Sequence, residues 1–461
     1  MNILHYSLGF PPYRSGGLTK YSVDLMTEQY NNGNNIYCLF PGRIGIYRIK
    51  TKINFYKKID GIEVYELINP QSVPLLNGIL EPAKFMKNGN NIEFEKFLKE
   101  KNIEIIHIHT LMGLHIEFLQ IAKKLNIKIV YTTHDYYGLC SKVNFIDYNG
   151  NCCEEIDINK CLKCNMSGYS INRIKLLQSC IYRELKNRGV ISKAKKVISV
   201  IKGKEKKEII NKVDEEKYMI NEKEFVDLLQ YYRRMFECID GFIYNSSVAK
   251  EIYNKNIKGN GKIITISHLN IYDNKKIKMF NHNKLKLTYL GPYKKYKGFE
   301  VLIDSMIDIN KNYKNHVELN LYGDDYKYKI DDNIIFHGRY NYESLNDIFD
   351  NTDLLIVPSI WNETFGFIVI EALSYGVPVL ISDKVGAKDL INNLVDGIII
   401  NMNKQNLEDE IIKIINNRDI IVNINKEICS SETKRLLFKN HYKDIMDYYK
   451  DIIYEDNINN I

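Results

Sequence analysis

The sequence predicts an α/β protein built as two successive parallel-sheet halves. Three observations carry this: strand–loop–helix–strand units recur in both halves, the loops after the strands hold glycine or lysine, and the strands read as continuous apolar runs. A chain of 461 residues is long enough for two domains with separate cores. The 45% hydrophobic content is that of a globular protein, and the net charge of +7 is modest and dispersed, so no nucleic-acid partner is expected.

The first half opens with a strand over 3–7, a loop holding Gly16 and Gly17, a helix over 18–31 stopped at Gly33, and a strand over 36–40. Ligands of such sheets sit at the carboxyl ends of the strands, and paired glycines there admit a close approach of backbone to ligand. Strands over 105–109 and 127–132 follow, and the second runs into Thr133-His134-Asp135. His134 thus stands where the sheet keeps its chemistry. Asp135 reads equally well as a loop cap, and His107 and His109 read as structural.

The second half restarts with a strand over 285–291, then Pro292-Tyr293-Lys294-Lys295-Tyr296-Lys297-Gly298 and a helix over 299–309. A lysine just before a helix adds charge to its free amides. Glycine-closed strands over 317–323 and 334–338 follow; Asp324 and Asp325 between them read as a solvated loop rather than a metal pair. A buried strand over 353–359 leads into Asn362-Glu363-Thr364-Phe365-Gly366-Phe367-Ile368-Val369-Ile370-Glu371-Ala372, whose helix over 367–375 stops at Gly376 before a strand over 377–382. Glu363 falls in the loop and Glu371 about two turns into the helix. Carboxylates accept hydrogen bonds from sugar and ribose hydroxyls, and the amides of Phe367, Ile368 and Val369 suit a diphosphate.

The E-x7-E block with its Phe-Gly and the following Glu-Ala…Gly-Val-Pro resembles the retaining glycosyltransferases of family 4, the group-1 type with a GT-B fold. That resemblance implies two Rossmann-like domains facing across a cleft and a nucleotide-sugar donor, with no cofactor required for catalysis. It implies that Glu363 contacts the donor sugar, Glu371 the ribose, Lys297 the diphosphate, and His134 the sugar from the opposite domain. Gly16 and Gly17 would lie beside the diphosphate, with Phe365 and Gly366 opening the anion-binding turn. One departure stands out: many members carry arginine where this chain has Pro292, and Lys294 or Lys295 is the candidate replacement. A nucleotide-sugar epimerase of the same fold is disfavoured by the E-x7-E block. A catalytically lapsed nucleotide-sugar-binding or scaffold protein of a polysaccharide assembly complex is the alternative.

Five of the nine cysteines crowd into 140–164: Cys140, Cys152, Cys153, Cys161 and Cys164. Cys161-Leu162-Lys163-Cys164 is a C-x2-C knuckle suited to tetrahedral zinc. The expected structural site is Cys140, Cys161, Cys164 and one of Cys152 or Cys153, Cys152 being the first choice; reduced thiols or a redox-labile pair are the alternatives. The family subset with a cysteine-rich loop after its His-Asp carries a similar feature. From 169 to about 237 the chain reads as a helical, basic insertion with Arg173, Lys175, Arg183, Lys186, Arg188, Lys193, Lys195 and Lys196, continued by charge over 202–207. It is either a solvated insertion or a surface for anionic lipid or a lipid-linked acceptor.

The expected domains are 1–271 on the acceptor side and 284–434 on the nucleotide-sugar side, with a helix over 435–461 crossing back to the first domain. The chain opens directly on a strand without signal-peptide features, and no apolar run spans a bilayer. The expectation is a cytoplasmic protein, with membrane contact at most peripheral and a glycan or lipid-linked acceptor.

Overall fold

The computed structural model describes residues 1–45, 50–191, 220–280, 283–326, 329–432 and 436–459. Two sheets organise the chain. The first holds β1 (Asn2–Tyr6), β2 (Asn35–Pro41), β3 (Lys52–Ile59), β4 (Ile62–Ile68), β5 (Ile105–Ile108), β6 (Lys128–Thr132), β7 (Gly241–Tyr244) and β8 (Gly261–Ile263), in the spatial order β3-β4-β2-β1-β5-β6-β7-β8. Every pairing is parallel except the edge hairpin β3–β4. That hairpin turns at Asp60 and Gly61, both at positive φ (47° and 88°), the conformation that a two-residue Asp-Gly turn requires.

The second sheet holds β9 (Leu285–Gly291), β10 (Val317–Gly323), β11 (Ile334–Gly338), β12 (Leu354–Val357), β13 (Val379–Ser382) and β14 (Ile398–Ile400). It is wholly parallel, in the order β11-β10-β9-β12-β13-β14. Its central strands are buried along their length; Leu354, Leu355 and Ile356 have no exposed surface, as expected for strands covered by helices on both faces.

In both sheets the strand order reverses beside the first strand, next to β5 in one and next to β12 in the other. Chain crossing away in opposite directions leaves a crevice at that point, where ligands bind such folds. The loops that border the two crevices follow β1, β5, β9 and β12. They carry Gly16 and Gly17, His109, Lys297, and Glu363. The final helix, Phe438–Asn459, packs back on the first domain: Tyr449 is fully buried, with its hydroxyl 2.5 Å from His107 Nδ1.

Candidate active site

The loops after β9 and β12 are set by one obligatory glycine. Gly298 closes a short 3-10 turn, Lys295–Lys297, at φ 74°, and opens the helix Phe299–Tyr313. A Cβ at Gly298 would lie 1.8 Å from Pro358 O, so only glycine lets the loop after β9 touch the loop after β12. The contact aims Lys297 at Glu363. Lys297 Nζ donates to Glu363 Oε1 at 2.6 Å and lies 5.2 Å above the ring of Trp361. Ser359 Oγ donates to Glu363 Oε2 at 2.7 Å. Backbone bonds lock the glutamate in place: its amide donates to Lys384 O at 2.9 Å and its carbonyl accepts from the Gly386 amide at 3.0 Å. Both charged ends are largely buried, at 21% and 14% side-chain exposure, so the pair is held in a site of reduced dielectric.

Gly366, at φ 107°, turns the chain into the helix Phe367–Ser374. The Val369 amide is already engaged, donating to Gly366 O at 3.1 Å. This corrects the expectation that three amides are free: the first-turn donors without an intrahelical acceptor are those of Phe367 and Ile368. Glu371 lies on the buried face of that helix and meets His268 Nε2 through its Oε1 at 3.1 Å. Burial, and then the Glu371 charge, push the Tyr340 and Tyr342 phenols up. The two glutamates therefore have separate partners, a lysine for one and a histidine with two tyrosines for the other.

The first domain meets this surface directly. Thr364 Oγ1 donates to the backbone oxygen of His134 at 3.0 Å, Tyr136 OH donates to Asn362 O at 2.8 Å, and Ser246 Oγ donates to Thr364 O at 2.7 Å. Gly16, at φ 114°, precedes the helix Gly17–Asn31, and a Cβ on Gly17 would stand 3.2 Å from the Phe367 ring. The structure thus gathers Gly17, His134, Glu363, Phe365, Gly366 and Phe367 around one junction of the two domains, with Lys297 on Glu363.

The His134 ring packs 4.7 Å from Tyr21, and burial pulls its pKa down to about 3. Its Nε2 lies 3.1 Å from His109 Nδ1. His109, read from the sequence as structural only, therefore touches the candidate site; its place after β5 at the strand reversal was the available signal. His268, Trp361 and Ser359 were not singled out either. Trp361, the lone tryptophan, sits two residues before Glu363. Asp135 caps the loop, accepting from the Tyr137 amide at 2.9 Å, and burial raises its pKa to about 6. Lys294 and Lys295 are both exposed. The Lys295 side chain runs past Gly150 of the first domain, 3.4 Å from where its Cβ would be.

The cysteine loop needs a correction. Cys152 faces the other domain, its Sγ 2.9 Å from Ile360 O. Cys153 instead joins Cys140, Cys161 and Cys164 around one cavity of about 30 Å³. All of these thiols are free. Among the described residues the one group of three or more ligand atoms within 4.8 Å of each other is His5, His107 and His109. No three of the four sulfurs therefore lie within 4.8 Å of one another, against the separation of about 3.8 Å that Zn–S bonds of 2.3 Å impose.

The basic insertion is partly visible, as helices Ile171–Leu177, Cys180–Asn187 and Glu222–Glu237. Lys193, Lys195, Lys196 and the run over 202–207 lie outside the described residues. Of the others, Arg183 is buried in an ion pair with Glu66 at 2.9 Å, Arg188 pairs with Glu184 at 2.7 Å, and Arg173 stacks on Tyr169 at 3.8 Å. Of these only Arg183 is withdrawn from the surface; Arg188 is paired at the surface and Arg173 keeps its charge exposed. No helix among the described residues is long and apolar enough to cross a membrane.

Residues 270–434 match the family model described as glycosyl transferases group 1. This stretch is similar to the domains that the group 1 glycosyltransferase model describes. It contains Lys297, Glu363, the helix that carries Glu371, and all six strands of the second sheet. A 41.2 kDa protein of the cps region of Klebsiella pneumoniae is 27% identical over 190 residues, covering 38% of this chain and 51% of the relative. Protein CapJ of Staphylococcus aureus is 31% identical over 193 residues, covering 36% and 47%. The chain spans about half the length of these curated relatives. Anabaena HepE, solved in complex with UDP, superposes with a TM-score of 0.58 at 13% identity over 98% of this chain and 100% of that one. The fold of the chain is thus GT-B, two Rossmann-like domains in one chain.

Proposed function

We propose that the chain is a retaining glycosyltransferase that moves a sugar from a nucleoside diphosphate to a hydroxyl of a glycan or lipid-linked acceptor. The observation that carries this reading is the convergence of Lys297, Glu363 and the Gly366 turn of one domain on Gly17 and His134 of the other. A cation and two helix amides on one side, with a carboxylate and an imidazole reaching from two domains, match the needs of a sugar diphosphate. In this reading Lys297 leaves Glu363 to meet the departing diphosphate, joined by the Phe367 and Ile368 amides. Glu363, released from the lysine, accepts from hydroxyls of the sugar. Glu371, held by His268, receives the ribose hydroxyls. In this reading the diphosphate itself assists removal of the acceptor proton on the face it leaves.

The nucleotide class is supported by the likeness to HepE, solved with UDP and with UDP-glucose. Employment in cell-surface polysaccharide or glycolipid assembly is supported by the cps-region relative and CapJ. The WaaG structure, titled a glycosyltransferase involved in lipopolysaccharide biosynthesis, shares the fold at a TM-score of 0.51. The test is nucleotide release from a panel of UDP-, GDP- and ADP-sugars by wild type, Glu363→Ala and Glu371→Ala. Slow hydrolysis of one donor, lost in both variants, supports the reading and names the donor. Donor-induced thermal stabilisation without turnover points to a lapsed enzyme or a missing acceptor. Neither turnover nor stabilisation by any donor overturns it.

A further inference from the structure

A line of hydrogen bonds runs from His134 into the first domain and ends on the C-terminal helix. His134 Nε2 lies 3.1 Å from His109 Nδ1, His109 Nε2 lies 3.0 Å from His5 Nδ1, and His5 Nε2 lies 2.6 Å from Gln29 Oε1. Gln29 Nε2 faces Met446 Sδ at 3.6 Å and Tyr449 OH at 3.3 Å. His5, His109, Gln29 and Tyr449 have no exposed surface.

The direction of the protons along this line follows from its far end. A thioether sulfur only accepts, so the amide nitrogen of Gln29 belongs on Met446 and the oxygen on His5. An amide oxygen also only accepts, so His5 carries its proton on Nε2. Burial lowers the pKa of His5 to about 4 and that of His109 well below the usual range, so each ring is neutral and holds one proton. His5 Nδ1 is therefore a bare acceptor, and His109 Nε2–H must donate to it. That leaves His109 Nδ1 bare, and His134 Nε2–H must donate in turn. The remaining ring nitrogen of His134, Nδ1, has no hydrogen-bond partner among the described residues and is not among the buried unpaired atoms.

We propose that Gln29, His5 and His109 are positioning residues that fix His134 as the Nε2–H tautomer, so that Nδ1 is a lone-pair acceptor for a hydroxyl of the bound sugar. The role given to Nδ1 rests on the glycosyl-transfer reading; the tautomer does not. The line also gives the three clustered histidines a role other than metal binding. All six ring nitrogens of His5, His107 and His109 are engaged: four by Gln29, Tyr449, Thr132 and His134, and the remaining two by each other in the His5–His109 bond.

The experiment is a long-range 1H–15N correlation spectrum of histidine-labelled protein near pH 7.5 without donor. His134 is assigned by the signal missing from His134→Gln. The expected pattern is a protonated Nε2 and a bare Nδ1. A protonated Nδ1, an even mixture of tautomers, or stoichiometric metal retained on His5, His107 and His109 would overturn the proposal. Gln29→Met removes the oxygen that sets the direction while nearly keeping volume. It is expected to turn the His134 signal into a mixture and to raise the donor KM severalfold with a smaller change in kcat. An unchanged tautomer in that variant would count against the relay, and if the variant fails to fold the wild-type spectrum still decides. A bare Nδ1 in a protein that binds no nucleotide sugar would keep the relay and sink the transferase reading.

Discussion

Glu363 is bonded at both carboxylate oxygens before any ligand arrives, to Lys297 and to Ser359. Removing it frees a partly buried ammonium as well as deleting an acceptor, so Glu363→Ala should tighten inorganic pyrophosphate or nucleoside diphosphate while weakening turnover. The expected loss in kcat/KM is roughly ten- to hundredfold, the worth of one charge-assisted hydrogen bond. Steady-state kinetics beside product-inhibition constants check both halves of that statement. Gly298→Ala meets a left-handed φ and the Pro358 carbonyl together. It should destabilise by more than about 1 kcal/mol, seen as a lower denaturation midpoint, with activity falling as Lys297 is displaced. At this scale the sequence was informative where a residue type has few uses: a glutamate beside Phe-Gly, a lysine before a helix glycine. It was silent on His268 and on the reach of His109, because a buried pairing between residues distant in the chain leaves no local pattern.

Elements were legible in proportion to their burial. The strand over 285–291 has the bounds its run implies because it is largely buried, whereas those over 317–323 and 334–338 alternate more buried with less buried residues and were bounded by their closing glycines. The edge strand β3 is mostly exposed, so its composition gave no such signal; the Asp60-Gly61 turn was the cue that would have revealed the hairpin. In the cysteine loop, spacing picked out the group but could not say which of two adjacent thiols turns inward. If zinc binds there it must draw Cys140, Cys153, Cys161 and Cys164 together, so Cys153→Ser should lose bound zinc and Cys152→Ser should keep it. Metal analysis of the purified proteins decides, and equal retention in both would remove zinc from this loop. The C-terminal helix offers a second test. Tyr449→Phe deletes the hydroxyl shared by His107 and Gln29, leaving buried partners unsatisfied, at an expected cost of about 1–3 kcal/mol measured by chemical denaturation.

For the molecule as a whole, the buried histidines set the pH response. Burial holds His5 and His441 at about 4 and His134 at about 3, while His107 and His109 are lower than usual as well. An unfolded histidine takes up its proton near pH 6.5, so below that pH the unfolded state binds more protons and stability falls. Asp135, raised to about 6, works in the opposite sense, because the folded form is then the better proton acceptor. These lowered imidazoles, with His115 lowered by burial as well, outweigh the raised carboxyls of Asp135 and Asp444, and melting temperatures should drop steadily from pH 7 to pH 5. A melting temperature that rises over that interval would contradict the burial described above.

The wall that Tyr449 and Met446 contribute to the histidine line has a further consequence, for the order in which the protein is made. The first sheet is complete once β8 has left the ribosome, yet the helix that seals its polar interior emerges only after the whole second sheet. Until then His107 Nδ1 and Gln29 Nε2 lack their partners, and the earlier half must wait, incompletely closed, for the later half. Residues 1–271 produced alone should therefore collapse into an aggregating fragment, and supplying the helix over 438–459 by circular permutation should rescue them.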